Sequence, residues 1–151
     1  MRLIAPLTAA DRAAFIAAAR DHVGRTRFRH QGRGPTHLDC VGLVVVALAA
    51  AGRSAETPAA YGREPAHDRL RDRLREHFGQ HVAAGPGCAA AAQPGDVLAM
   101  AWSVRPQHVA IVSAHLLGGL SLIHADALAG GVVEHVYADP WPARTLEIYR
   151  P

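Results

Sequence analysis

Two hydrophobic rhythms divide the chain: apolar positions group at helical spacing through residue 78, and from Asp96 onward they gather in short β-type runs. Thr8-Ala-Ala-Asp11 forms a capping-box-like start, with Asp where Glu is usual, and predicts an alanine-rich helix running to about Val23. Phe15 and Ile16 give that helix an apolar face, and Gly24 ends it. Residues 25–38, rich in Gly, Pro, Arg and His, read as a loop leading into a second helix from Cys40 to about Ala51, closed by Gly52. This helix is apolar nearly all round (Val41, Leu43, Val44, Val45, Val46, Leu48), which predicts burial. Arg53 to Pro65 reads as loop, Asp68 to Phe78 as a charged surface helix, and 79–95 as a long connection holding Gly, Pro and many Ala.

Five β-type runs follow: Val97–Trp102, His108–Ala114, Leu120–Ala125, Val132–Tyr137 and Thr145–Tyr149. Turn signals separate them at Arg105-Pro106, Gly118-Gly119, Gly130-Gly131 and Asp139-Pro140. Helices first and hairpin-spaced strands second imply an α+β fold, an antiparallel sheet packed on the buried helix. No internal repeat is visible, and the length of 151 residues suits a single domain over 1–151.

Composition narrows the function classes. Half of the residues are hydrophobic and 19% are charged, as in a globular chain. The net charge is +3; all 16 basic residues are Arg, scattered among 13 acids, and lysine is absent. The densest basic stretch, Arg63 to Arg75, is interleaved with Glu64, Asp68 and Asp72 and reads as a solvated helix face. With only eight aromatics in the chain, no basic stripe with stacking rings points to nucleic acid. A slight positive bias suits an anionic polymer such as the bacterial wall. Met1 to Ala10 lacks the continuous apolar core of a secretory signal, and the longest apolar stretch, Val41 to Ala51, falls short of the about 20 residues that span a bilayer. These features lead to the expectation of a chain made in the cytoplasm without a signal and lacking a membrane span.

Two cysteines cannot build a disulfide framework. Cys40 stands at the predicted first turn of the buried helix, just after Asp39. Unpaired backbone N–H groups and the partial positive charge there favour thiolate over thiol, and the same N–H groups can receive an oxyanion. Gly42 leaves room for another segment to approach. The alternative is a structural cysteine packed as a small hydrophobe. His108 opens an apolar strand from which its imidazole can be aimed at a helix N-terminus, and it would serve a thiol as base. His124, across the Gly118-Gly119 turn, would orient His108 through the other ring nitrogen. Taken singly, each histidine reads first as a satisfied structural residue. His77 and His81 stand i, i+4, a zinc-capable spacing, but Gly79 interrupts them and no second ligand motif accompanies them; they read as exposed loop histidines. Cys88 has no identifiable partner.

The elements occur in a telling order: Thr26-Arg-Phe-Arg-His30, Asp39-Cys40-Val-Gly42-Leu43-Val44, Gln93-Pro94-Gly95-Asp96-Val97, His108-Val-Ala-Ile-Val and Ile123-His124-Ala125. From about residue 12 to 137 this series resembles the NlpC/P60 family of papain-like cell-wall peptidases, in particular short, signal-less, phage-type members of tail modules and gene-transfer-agent particles. The resemblance implies Cys40 as nucleophile, His108 as base and His124 as the third, orienting residue. It implies that Asp39 helps recognise the free amino end or a polar group of the wall peptide, and it sets Phe28 at a substrate-side position where the family usually has Tyr. The implied reaction is hydrolysis of a γ-D-glutamyl to diamino-acid amide bond of peptidoglycan through a thioester. No cofactor or metal is implied; the implied partners are the wall peptide and phage-like tail proteins, with the virion or tail particle as location.

Three departures stand out. Phe28 lacks the phenol hydroxyl, Val41 replaces a frequent Ser, and the segment between His108 and His124 is long for the family, which a longer hairpin turn at Leu116–Gly119 would absorb. The first two put substrate specificity in question and leave the nucleophile–base pair intact. They also motivate a second reading, a non-catalytic tail-assembly or wall-binding module of the same fold. A thiol amidase or acyltransferase acting on a non-wall amide or ester is a third.

Overall fold

The structure, a computed structural model, describes residues 2–55, 69–101 and 107–151. Helix α1 spans Ala9–Asp21. Its start is the expected capping box: the Thr8 hydroxyl accepts from the Asp11 N–H, and the Asp11 carboxylate accepts from the Thr8 N–H. It ends two residues earlier than expected, with His22 as C-cap, before Gly24 turns the chain at φ +72°. Helix α2 covers Cys40–Ala50, capped at its start by Asp39. Helix α3 covers Arg69–Phe78; the expected first residue, Asp68, lies outside the described residues. It is not a purely exposed helix, because Leu70, Leu74, His77 and Phe78 are buried beneath its charged outer face.

The strands are β1 (Arg27–Phe28), β2 (His37–Leu38), β3 (Ala83–Ala84), β4 (Val97–Met100), β5 (His108–Ala114), β6 (Leu120–Asp126), β7 (Gly131–Val136) and β8 (Thr145–Tyr149). They form one sheet in the order β2-β1-β7-β6-β5-β4-β8-β3, antiparallel throughout except for the parallel β1–β2 pair. The α+β expectation holds. Two expected loops carry short structure instead: residues 25–38 contribute β1 and β2, and the connection 79–95 contributes β3 and a 3₁₀ turn over Cys88–Ala91. A short helix α4, Trp141–Arg144, follows the Asp139-Pro140 turn. The expected strand end at Trp102 and the Arg105-Pro106 turn lie outside the described residues.

Alternation along the central strands buries both faces. Toward α1 and α2, Val97, Ala99, Ile111, Ile123 and Tyr149 meet Phe15, Ala19, Leu43, Ala47 and Leu48. The opposite face, with Leu98, Met100, Ala110, Val112, Leu122 and Ile148, is covered by Cys88, Tyr137 and Trp141. Cys88 is buried there and its thiol donates to the Thr145 carbonyl oxygen at 3.5 Å, a partner the sequence did not reveal. His77 is likewise no exposed loop residue: it is buried on α3 with its ring edge-on to Phe78, and His81 is half-buried beside Tyr149.

Two ion pairs fasten the layers. Arg20 of α1 grips Glu134 of β7, which also accepts from Ser113 of β5. Fully buried Asp96 takes Nε and Nη2 of Arg150 at 2.8 Å each, tying the last strand to the entrance of β4. None of the helices among the described residues is long and apolar enough to cross a membrane.

Candidate active site

The site forms where the loop 29–36, the head of α2 and the first residues of β5 meet. Asp39 is 3% exposed, and its carboxylate organises the junction. Oδ1 accepts from the Gly42 N–H at 2.7 Å and from Arg33 at 3.0 Å, while Oδ2 accepts from the Gln31 N–H at 2.8 Å. The loop therefore lies hard against the helix. A Cβ on Gly42 would stand 2.0 Å from the Gly32 carbonyl oxygen, so the close approach expected at this glycine is realised. Within the loop is a polar cavity of about 370 Å³ lined by Arg29, His30, Gln31, Gly32, Arg33, Gly34, Thr36 and His37.

Cys40 is the first residue of α2 and is half-buried. Backbone N–H groups of Val109, Val41 and Cys40 itself are directed at its sulfur. The β5–β6 ladder begins only at Ile111 and Ile123, so the first residues of β5 are paired on their β4 side alone, and β5 packs against α2. Those N–H groups act in the direction expected from the helix position, toward the thiolate. Burial, reinforced by the neighbouring Asp39 carboxylate, outweighs them and raises its pKa to about 12.

His108, the residue before Val109, is 8% exposed. Its Nε2 lies 2.8 Å from His124 Nδ1, so the two histidines expected to pair do so. Extending the β5–β6 register places them on a diagonal of one sheet face. Burial, with His124 as the second cause, pushes His108 down to about 3. Burial also lowers His124 to about 4, helped by His135 and opposed by Asp126. All three groups are thus neutral near pH 7.

A third histidine was not foreseen. His124 Nε2 lies 2.8 Å from His135 Nε2 on β7, and Trp141 covers both rings with centroids 4.9 and 5.0 Å away. Arg144 lies over the Trp141 ring at 5.2 Å. Pairing across the Gly130-Gly131 turn sets Val133 opposite His124 and Leu122 opposite His135, a diagonal legible only once that register is known. The ring nitrogens face one another in line and do not converge on a point, and no metal-ready cluster occurs among the described residues. Phe28 is half-buried on β1, packed against the main core, and its N–H donates to Gly130. The expected long turn between β5 and β6 is present, closed by the His115 N–H on the Gly119 carbonyl, with Leu116 and Leu117 projecting into solvent.

A cysteine heading a helix that is laid on an antiparallel sheet, with histidines on that sheet, is the arrangement of a papain-like thiol hydrolase fold. The NlpC/P60 family model matches residues 24–150, and the chain belongs to that family. Its members are generally cysteine peptidases of the cell wall. Among solved structures, the chain is similar to NlpC1 from Trichomonas vaginalis, with TM-score 0.65 and 17% identity over 99% of this chain and 47% of that one. It is also similar to the P60 domain of an antigen from M. avium subspecies paratuberculosis, with TM-score 0.58 and 19% identity over 93% and 94% of the two chains. An NlpC/P60 family protein from Bacillus cereus gives TM-score 0.62 and 18% identity over 97% and 42%. The chain therefore spans less than half the length of the first and third of these. No curated protein sequence matches it significantly.

Proposed function

We propose that the chain is one catalytic domain that hydrolyses an amide bond in the stem peptide of peptidoglycan, of the γ-D-glutamyl to diamino-acid type, with Cys40 as nucleophile. One observation carries this reading: the Val109 backbone N–H acts on the Cys40 sulfur, next in the chain to His108, whose Nε2 lies 2.8 Å from His124 Nδ1. His108 takes the thiol proton as sulfur attacks the carbonyl carbon, and N–H groups at the head of α2 face the developing oxyanion. His108 then protonates the departing amine, leaving a thioester that water hydrolyses.

Phe28 and the loop held by Asp39 form the substrate side. The arginines and histidines around the polar cavity suit the carboxylates of a stem peptide, while Asp39 offers an amino end a carboxylate whose charge it already shares with Arg33. Action from a phage-like tail particle belongs to the same proposal and rests on the resemblance in motif order.

The test is a digest of purified cell wall with wild-type protein and with Cys40→Ala, followed by mass spectrometry of released peptides. Wild type is expected to release new amino ends and Cys40→Ala none. Binding of muropeptides without release by either protein would favour the non-catalytic wall-binding module.

A further inference from the structure

The line of histidines has a direction. His135 Nδ1 lies 3.0 Å from the Val136 carbonyl oxygen. A carbonyl only accepts, so that nitrogen carries a proton, and in a neutral ring Nε2 is then an acceptor. His124 Nε2, 2.8 Å from it, must donate; His124 Nδ1 must therefore accept, and His108 Nε2, 2.8 Å away, must donate. The lone pair of His108 falls on Nδ1. One backbone carbonyl at the surface thus sets the tautomer of three rings and presents a basic nitrogen at the buried end.

Electrostatics makes this order useful. A positive charge confined to buried His108 lacks solvation, whereas His135 is half-exposed at the outer end of the line. We propose that His135 is a positioning residue acting through His124, fixing the tautomer of the His108–His124 pair and accepting at the surface the proton that Cys40 gives up. The inference rests on the roles proposed for Cys40 and His108. In the forward direction the Cys40 S–H bond breaks and its proton goes to His108 Nδ1. The Nε2 proton of His108 passes to His124 Nδ1, and the Nε2 proton of His124 passes to His135 Nε2. The result is a thiolate at Cys40 and an imidazolium at His135, which keeps its Nδ1 proton donated to the Val136 carbonyl oxygen. Running backward, the same relay returns a proton for the leaving amine. His135 faces His124 on β6 and Trp141 on α4, with Arg144 over the indole; Asp126 acts on His124. The Asp126 carboxylate favours charge on the line and Arg144 opposes it.

Thiolate formation can be read without any substrate, from the pH dependence of Cys40 alkylation by iodoacetamide in the full chain, with Cys88 as internal reference. Wild type, with the relay intact, is expected to alkylate with a midpoint well below the raised value that burial and Asp39 set for the isolated thiol. His135→Phe keeps a ring against Trp141 but removes both nitrogens, and should slow Cys40 labelling at neutral pH by about tenfold or more, a shift of one pH unit. His135→Gln, whose amide oxygen still accepts from His124, should fall between the two. Independently of any variant, ¹⁵N shifts of wild-type imidazoles at neutral pH should show His108 protonated on Nε2. Equal labelling profiles for wild type and His135→Phe, or a proton on His108 Nδ1, would overturn the relay. Wall cleavage enters neither readout, so a failure to cleave wall counts against the proposed function alone.

Discussion

Position and environment pull Cys40 in opposite directions. The head of α2 offers N–H groups that favour thiolate, yet burial and Asp39 hold the sulfur protonated. The helix head and Asp39 can both be inferred from a sequence, since they are neighbours of Cys40 in the chain; desolvation depends on the fold. The two inner histidines carry a measurable signature of the same burial. Their folded values, about 3 and about 4, lie below the ordinary imidazole value of 6.5, so between those limits the unfolded chain binds more protons. Their contribution to stability is complete above 6.5 and is lost as pH falls toward the folded values. Thermal unfolding followed from about pH 7 to about pH 4 should show a falling Tm, with a shallower fall for His124→Asn, which cannot take up a proton. Parallel curves for the two proteins would contradict a buried neutral His124.

At the scale of elements, α2 and the loop before it act as one piece. Replacing Gly42 with Ala would gain about 1 kcal/mol of helix propensity. The new Cβ, however, would meet the Gly32 carbonyl oxygen at 2.0 Å, and a backbone atom cannot swing aside. The clash should win, lowering stability in urea by about 1–3 kcal/mol and displacing the loop that Asp39 holds. A Gly42→Ala protein as stable as wild type would mean that the loop does not sit on the helix. Elements with a strong period were legible in the sequence: α1 from its capping box, α2 from its apolar surface, and β5 to β7 from runs between glycine pairs. The two-residue strands β1, β2 and β3 were not, because two residues carry no period and each is defined by the strand beside it.

Over the whole molecule, what the chain order made visible was the pairing of Cys40 with the start of β5 and of His108 with His124. His135 stayed hidden because its face depends on the β6–β7 register, a property of two strands together. Asp96 and Arg150 were hidden for a related reason: a buried carboxylate and its guanidinium lie 54 residues apart and are joined only when β8 closes on β4. The matched solved structures share this fold at under 20% identity, so it is the geometry around the sulfur, not the likeness, that has to bear the chemistry. That geometry makes a covalent prediction. Protein quenched in acid during incubation with cell-wall peptide and digested for mass spectrometry should carry an acyl adduct on the peptide containing Cys40 and none on that containing Cys88. Product release with no such adduct, or with undiminished release from Cys40→Ala, would contradict Cys40 as the nucleophile.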